Sequence, residues 1–299
     1  MENQFCVRAL AEILSEEGSS KNLINQLIAA LKSDENVNSL ELLECHSPHQ
    51  LQLKLVSNSS FKNLKNNLTP IAEQFQVDLI LKNWEDRLII PKLLIMDMDS
   101  TLVQAETIDE IARVAGVGEA VAKITESAMR GELDFTQSLI ARVSMLKGVS
   151  VQDIESVHDC LPLTDGAKNL LAKAKANGCH TALVSGGFTL FAGPIAKSLG
   201  FDTLSANVLE IIDGKLTGKV VGDIVDGKSK LQTLKRLQQQ LGLNHKQIVA
   251  IGDGANDLPM LTAAETGIAF HAKPKVQEQA SAILNYNDLN ALCWLMNWY

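Results

Sequence analysis

Residues 93–105 read LLIMDMDSTLVQA, and Asp97 and Asp99 close an apolar run two positions apart. Unpaired buried charge is costly, and two like charges this close push each other's pKa upward. An aspartate can attack phosphorus and form an acyl phosphate. The departing alcohol then needs a proton, so a second acid must stand nearby. Two residues on is a suitable distance if the chain turns after Met98, and Ser100 and Thr101 can bond the backbone of that turn. The plain alternative is a strand-end pair that caps the following helix.

Two further turns carry complementary chemistry. In IGDGAND (251–257), Gly252 and Gly254 permit tight backbone geometry around Asp253, and Asp257 follows four residues later. Carboxylates from two strand ends can share Mg²⁺, a hard cation that prefers oxygen ligands and would offset the repulsion of the Asp97 pair. An ordinary Asp-Gly turn would look the same. In LVSGG, Ser185, Gly186 and Gly187 offer a hydroxyl and open backbone N–H groups to phosphoryl oxygens, although an isolated S-G-G is usually just a loop. A transferring phosphoryl group also wants a fixed cation. Lys228 and Lys230 open the helix before IGDG, and either could equally be a solvated surface lysine.

These turns need a scaffold that brings them together. KLLIMD, HTALVSGG and KQIVAIGDGAND each read as a strand running into a turn, with helical segments between them. Such alternation predicts an α/β fold: a parallel sheet covered by helices on both faces, with ligands beyond the carboxyl ends of the strands. Four helical segments punctuated by glycines, IDEIARVAG to SVQDIESVHDCL, interrupt the pattern after the first strand. Asp134 with Gln137, and Ser150 with Asp153, resemble capping boxes. ANVLEIIDGKLTGKVV predicts a hairpin turned at Asp213-Gly214. The expected units are a small α+β domain over 1–88, a larger α/β core over 89–105 and 161–299, and a four-helix cap over 106–160. In the first unit LINQLIAALK predicts a helix, and VNSLELLE, HQLQLKLVS and VDLILK predict strands. FKNLKNNLTPIAEQF predicts a second helix, broken or kinked at Pro70. Cys45, His46 and His49 offer three potential metal ligands there, a grouping more often incidental on a surface turn.

Composition narrows the partners. The chain has 299 residues, a formal net charge of −8 and 46% hydrophobic residues. This is the wrong sign for a general nucleic-acid binder, and no polybasic segment suits an anionic membrane. MENQFCVRALAEIL does not read as a signal peptide, and no apolar run reaches the length of a membrane span. Five scattered cysteines without C-x-x-C suggest reduced thiols and a cytoplasmic location.

The order D-x-D-S-T, S-G, K, G-D-G-x-x-D resembles the haloacid dehalogenase-like phosphatases. DMDSTLVQAETIDEIA, AMRGELDFTQSLIARVSMLKG, LVSGGF and IGDGANDLPML are similar to the members of that family that act on O-phospho-L-serine. The resemblance covers residues 91–299. Before that it is vague, and related bacterial enzymes carry an amino-terminal extension often likened to a regulatory ligand-binding fold. The resemblance implies a Rossmann-like core, Asp97 as nucleophile and Asp99 as general acid and later base. It implies Mg²⁺ on Asp97, the Asp99 backbone carbonyl and Asp253, supported by Asp257. Ser185, Gly186 and a lysine would bind the phosphoryl group, with Asn256 nearby. Lys230 is preferred because Leu234 and Leu237 follow it as in the family's helix, with Lys228 the lower-ranked alternative. Glu106 would take the substrate ammonium and Arg142, rather than Arg113 or Arg130, its carboxylate, with Met129 and Phe135 as an apolar wall. The resemblance also implies a cap that acts as a lid, a homodimer, and a place in L-serine biosynthesis. A relative acting on another small ester such as phosphohomoserine, a phosphotransferase, or a catalytically idle ligand sensor using the first 85 residues are the competing readings. A P-type pump would need membrane spans.

Overall fold

The computed structural model describes residues 2–11, 17–43, 50–158 and 161–298. Cys45, His46 and His49, and the end of the expected cap at 159–160, lie outside the described residues. The first elements are β1 (Asn3–Ala11), α1 (Glu17–Ser33), β2 (Val37–Leu42), β3 (Gln50–Ser57), α2 (Phe61–Phe75) and β4 (Val77–Asn83). Phe5, Val7, Leu51, Leu53 and Leu55 from the strands pack with Leu27, Leu31, Leu64 and Leu68 from the two helices.

Two differences from expectation have physical causes. Strand β1 was not expected, yet it lies between β3 and β4. Its alternation is hidden because Cys6 and Arg8, on the face opposite Phe5 and Val7, are buried as well. Helix α2 runs through Pro70 without ending. Pro70 and Asn66, whose carbonyl loses its partner, are both exposed, so water can satisfy that group while Leu64 and Leu68 hold the buried face.

Strand β5 (Leu93–Met96) then starts the larger sheet. Four helices follow: α3 (Thr107–Val114), α4 (Gly118–Met129), α5 (Phe135–Met145) and α6 (Val151–His158). The chain returns as α7 (Ala167–Ala176), β6 (His180–Phe188), α8 (Thr189–Leu199), β7 (Thr203–Ile212) and β8 (Lys215–Val221). It continues through α9 (Gly227–Gln240), β9 (Ile248–Gly252), α10 (Leu258–Ala263), β10 (Thr266–Phe270), α11 (Pro274–Gln279), β11 (Ala282–Leu284) and α12 (Ala291–Leu295).

The strand order is β2-β3-β1-β4-β11-β10-β9-β5-β6-β7-β8 in one mixed sheet. From β11 to β7 all pairs are parallel. β4 joins β11 antiparallel at Leu79↔Ile283, which makes the amino-terminal strands continuous with the rest. β8 forms the expected hairpin with β7, turned through left-handed Asp213 and Gly214. Strand β5 is apolar throughout because both its faces are covered. Leu94 and Met96 face one cluster with α7, α8 and the inserted helices. Leu93 and Ile95 face the other with Leu234, Leu237 and Met260. Asp97 continues the alternation of Leu93 and Ile95, towards the face that α9 covers.

The inserted helices are tied to the core twice. Gln104 N–H donates to the Pro162 carbonyl and Thr164 N–H to that of Leu102. The loop between α5 and α6 pairs with the hairpin tip through Gly148 N to Leu216 O, Leu216 N to Val149 O and Val151 N to Gly214 O. Asp134 and Gln137 form a reciprocal capping box at the start of α5. At α6 the Ser150 hydroxyl accepts the Asp153 N–H and donates to its carboxylate. Among the described residues no helix is long and apolar enough to cross a membrane. Cys6, Cys179 and Cys293 are free and buried.

Candidate active site

The carboxyl ends of β5, β6, β9 and β10 open into one cleft of about 340 Å³, with α3 and α5 across it. After β5 the chain turns tightly: the Met98 carbonyl accepts N–H groups from Thr101, Leu102 and Val103. Ser100 takes a left-handed φ of 54°. This turn lets Asp97 and Asp99 face the same cleft. Asp97 Oδ1 accepts the Met98 N–H at 2.7 Å, and Asp97 Oδ2 lies 2.7 Å from Lys230 Nζ. Asp99 is held from α3, accepting Thr107 N–H and Thr107 Oγ1–H, each at 3.2 Å. The hydroxyls expected to bond the turn backbone reach carboxylates instead. Ser100 Oγ donates to Glu106 at 2.8 Å and Thr101 Oγ1 to Asp253 at 3.1 Å. Bare carboxylate oxygens are the stronger acceptors.

Lys230 is fully buried and also lies 2.6 Å from Asp257 Oδ1. It joins Thr233, Leu234 and Leu237 on the buried stripe of α9, whereas Lys228 is exposed and points away. Asp257 in turn accepts the Gly254 N–H at 3.0 Å. Gly252 leaves room for this, since a Cβ there would stand 2.5 Å from the Asp257 carboxyl carbon.

The electrostatics are those of an acidic hole with too little positive charge. Burial, with Asp257 adding to it against Lys230, pushes Asp97 well above the usual carboxylate range. Burial and then Asp257 push Asp253 up to about 6. Burial and the Glu106 charge push Asp99 up to about 7. Burial works against the Lys230 cation, but Asp257 and Asp97 outweigh it and raise its pKa. Oxygens of Asp97, Asp253 and Asp257 lie within 4.8 Å of one another. An all-oxygen anionic set of this kind fits a hard divalent cation, whose charge would relieve all three.

Glu106 occupies the N-cap position of α3 at the cleft mouth without a side-chain capping bond, and Arg142 enters from α5. Arg142 donates its Nε–H to the Ser138 carbonyl at 3.4 Å and, among the described residues, makes no ion pair, which leaves its terminal nitrogens to meet an anion. Arg113 instead pairs with Glu110 on α3, and Arg130 with Glu132 in the exposed turn after α4. Phe135 lines the cleft with Ile108, Leu139 and Phe188. Met129, expected beside it, is 71% exposed and does not line the cleft; it ends α4, where the chain breaks at left-handed Gly131. Asn256 and Gly186 line the cleft, and Ser185 is buried behind it with its Oγ accepting the Gly187 N–H at 2.8 Å. A Cβ on Gly187 would stand 2.7 Å from Asp99 Oδ2, so the backbone must approach that carboxylate bare.

Several contributors escaped the sequence reading. Asn207 is buried on β7 and bridges the Gly186 carbonyl to the Val225 N–H, tying the S-G-G turn to the approach of α9. Nothing in its spacing marks it. Thr107 was readable only as the residue after Glu106. Lys273, at the N-cap of α11, and Lys275, in its first turn, also line the cleft.

A family model for haloacid dehalogenase-like hydrolases matches residues 94–262. The phosphoserine phosphatase of Haemophilus influenzae is 49% identical over 222 residues, covering 74% of this chain and 71% of that protein. A crystal structure of a HAD family hydrolase from Salmonella enterica serovar Typhi superposes with a TM-score of 0.83 at 31% identity, covering 98% of each chain. A probable phosphoserine phosphatase from Vibrio cholerae, in unliganded form, gives 0.78 at 35% identity, covering 99% of this chain and 87% of that one.

Proposed function

The chain belongs to the haloacid dehalogenase-like hydrolases, and we propose that it hydrolyses O-phospho-L-serine to L-serine and phosphate through an aspartyl-phosphate. One observation carries the reading. A nucleophile-and-acid pair, Asp97 and Asp99, shares a cleft with an anionic and a cationic group set for the two ends of an amino acid, Glu106 and Arg142.

In this reading Asp97 attacks phosphorus with a carboxylate oxygen, and the bond from phosphorus to the serine oxygen breaks. Lys230 favours the ionised form of Asp97 and holds it in place. Asp99, raised towards neutrality, carries the proton that the departing serine oxygen takes. Asp99 then draws a proton from water as that water attacks the aspartyl-phosphate, which frees phosphate and restores Asp97. Ser185, Gly186 and Asn256 orient the phosphoryl oxygens. Glu106 pairs with the substrate ammonium, and Arg142 grips its carboxylate. Phe135 and Leu139 form the apolar wall that limits water. Asp97, Asp253 and the Asp99 backbone carbonyl would hold Mg²⁺, with Asp257 in support, and the bound ion would supply positive charge at the phosphoryl group. The four-helix insertion over 106–160 acts as a cap, and the enzyme works in the cytoplasm in L-serine biosynthesis.

The test is phosphate release from L-phosphoserine, phosphothreonine, phosphohomoserine and a phosphosugar, with Mg²⁺ or EDTA, alongside Asp97→Asn. Preference for L-phosphoserine, lost with EDTA and in the variant, is expected. Equal turnover of another ester would keep the chemistry and remove the Glu106–Arg142 assignment. No turnover of any ester would overturn the reading.

A further inference from the structure

The cleft has four carboxylates on its lining, Asp97, Asp99, Glu106 and Asp253, in a chain of net charge −8. A phosphate dianion approaching it meets repulsion before it meets any fixed cation deep inside. Lys230 cannot help at that stage, because it is fully buried and already shared by two aspartates. Besides Arg142, the cations on the lining are Lys273 and Lys275. Both are exposed, and among the described residues neither forms an ion pair.

Their position is built rather than incidental. The chain leaves β10 through His271, whose left-handed φ of 43° redirects it at the strand's carboxyl end. Helix α11 follows and is fixed by Val276, which is buried, and by Gln277 Nε2, which donates to the Ala272 carbonyl at 2.6 Å. Its far end is held from another part of the chain. Lys65 on α2 donates to the carbonyls of Gln277, at 3.2 Å, and Ala280. A cation there satisfies the open carbonyls of the helix end. One end of α11 is thus gripped by an amino-terminal helix while the other presents two lysines to the cleft.

We propose that Lys273 and Lys275 capture the substrate's phosphate dianion at the cleft mouth, and that Lys65 is a positioning residue that acts through α11 to hold them there. This rests on the phosphomonoesterase reading above. It gives the amino-terminal unit a part in substrate binding that needs no ligand of its own.

The experiment is steady-state kinetics on O-phospho-L-serine at saturating Mg²⁺. The proteins are wild type, K273Q/K275Q, K65Q, K65R and the triple variant K65Q/K273Q/K275Q, with melting curves to show that each is folded. Ionic strength runs from about 0.01 to about 0.1 M, over which the screening length falls from about 30 to about 10 Å. In K273Q/K275Q, kcat/KM is expected to fall roughly three- to tenfold at low salt, the size expected of two exposed charge interactions. The loss is carried by KM, and the salt dependence flattens. K65Q shows a smaller loss of the same kind, K65R recovers part of it, and K65Q adds nothing in the double-variant background. An unchanged KM and salt slope in K273Q/K275Q, or a fall in kcat instead, would overturn the capture role. An additive K65Q effect would overturn the positioning role. A wild-type enzyme that releases no phosphate would instead remove the reading on which both rest.

Discussion

Lys230 and Asp97 meet with Nζ 2.7 Å from Oδ2, where the lysine side chain is 0% exposed and the aspartate 7%. The contact favours the charged form of Asp97 against burial and Asp257, which together still push its carboxyl well above the usual range. Lys230→Met leaves Asp97 and Asp257 facing each other without their cation. Loss of one partner from a buried pair costs about 3–5 kcal/mol, and loss of a fixed charge at the reacting group costs at least about 100-fold in kcat. Urea unfolding and single-turnover kinetics check the two effects. A variant with near-normal kcat would show that the lysine is only structural.

Chelation tests the acidic set itself. Removing the metal is expected to abolish phosphate release and to lower the melting temperature, because Asp97, Asp253 and Asp257 then repel without compensation. Adding Mg²⁺ back at about 100 times its Kd should restore about 2.7 kcal/mol. Full activity in excess EDTA would refute the metal role.

The Asp99 carboxyl, pushed up to about 7 by burial and Glu106, gives the rate a pH signature. The acid form donates to the leaving oxygen, so kcat/KM should fall as pH rises through this value. The base form is needed for the hydrolytic step, so kcat should fall on the acid side. A pH–rate profile on wild type and Asp99→Asn checks both limbs. A profile flat to pH 9 would assign the acid role elsewhere.

Gly187→Ala places a methyl 2.7 Å from Asp99 Oδ2 and 3.0 Å from Met98 Cε. Displacing the acid by a fraction of an ångström should lower kcat at least about tenfold while the melting temperature moves little. Unaltered kcat would mean that the turn has slack not visible in its packing.

Asp226 caps α9, accepting the Ser229 N–H at 2.8 Å, and that bond holds its carboxyl below the usual range. The stabilisation is present above the ordinary carboxylate pKa and is lost as pH falls through the lowered folded value. Asp226→Ala should therefore cost about 1 kcal/mol at pH 7, less in strong acid, with Asn retaining most of the cap. Urea midpoints at pH 7 and pH 3 measure the difference; an equal cost at both would show that the charge is immaterial.

The catalytic strand ends were legible because each is local: an apolar run, then the reactive residue, within about ten positions. Lys230 is preferred over Lys228 because Leu234 and Leu237 follow it as in the family's helix, and the buried stripe of α9 includes all three. Arg142 needed the family resemblance, since nothing in its own helix separates it from Arg113. Met129, carried over from the resemblance, lies outside the cleft because α4 ends there and the chain turns away at left-handed Gly131. Lys273, Lys275 and Asn207 were invisible for a related reason: their partners are brought in by the sheet, not by neighbours in the chain. Strand β1 was missed because a strand buried on both faces loses its period of two.

Thr101 and Asp253 are hydrogen-bonded across 152 residues of chain, and β5 pairs with β9 over a similar span. Contacts this distant carry a large closure entropy and form slowly. During synthesis Asp97 leaves the ribosome well before Lys230 and Asp253. Until those arrive, β5 has no partner on its β9 side, an exposed apolar edge of the kind that chaperones shield. A truncated nascent chain of this protein would thus carry Asp97 without the groups that surround it in the folded cleft.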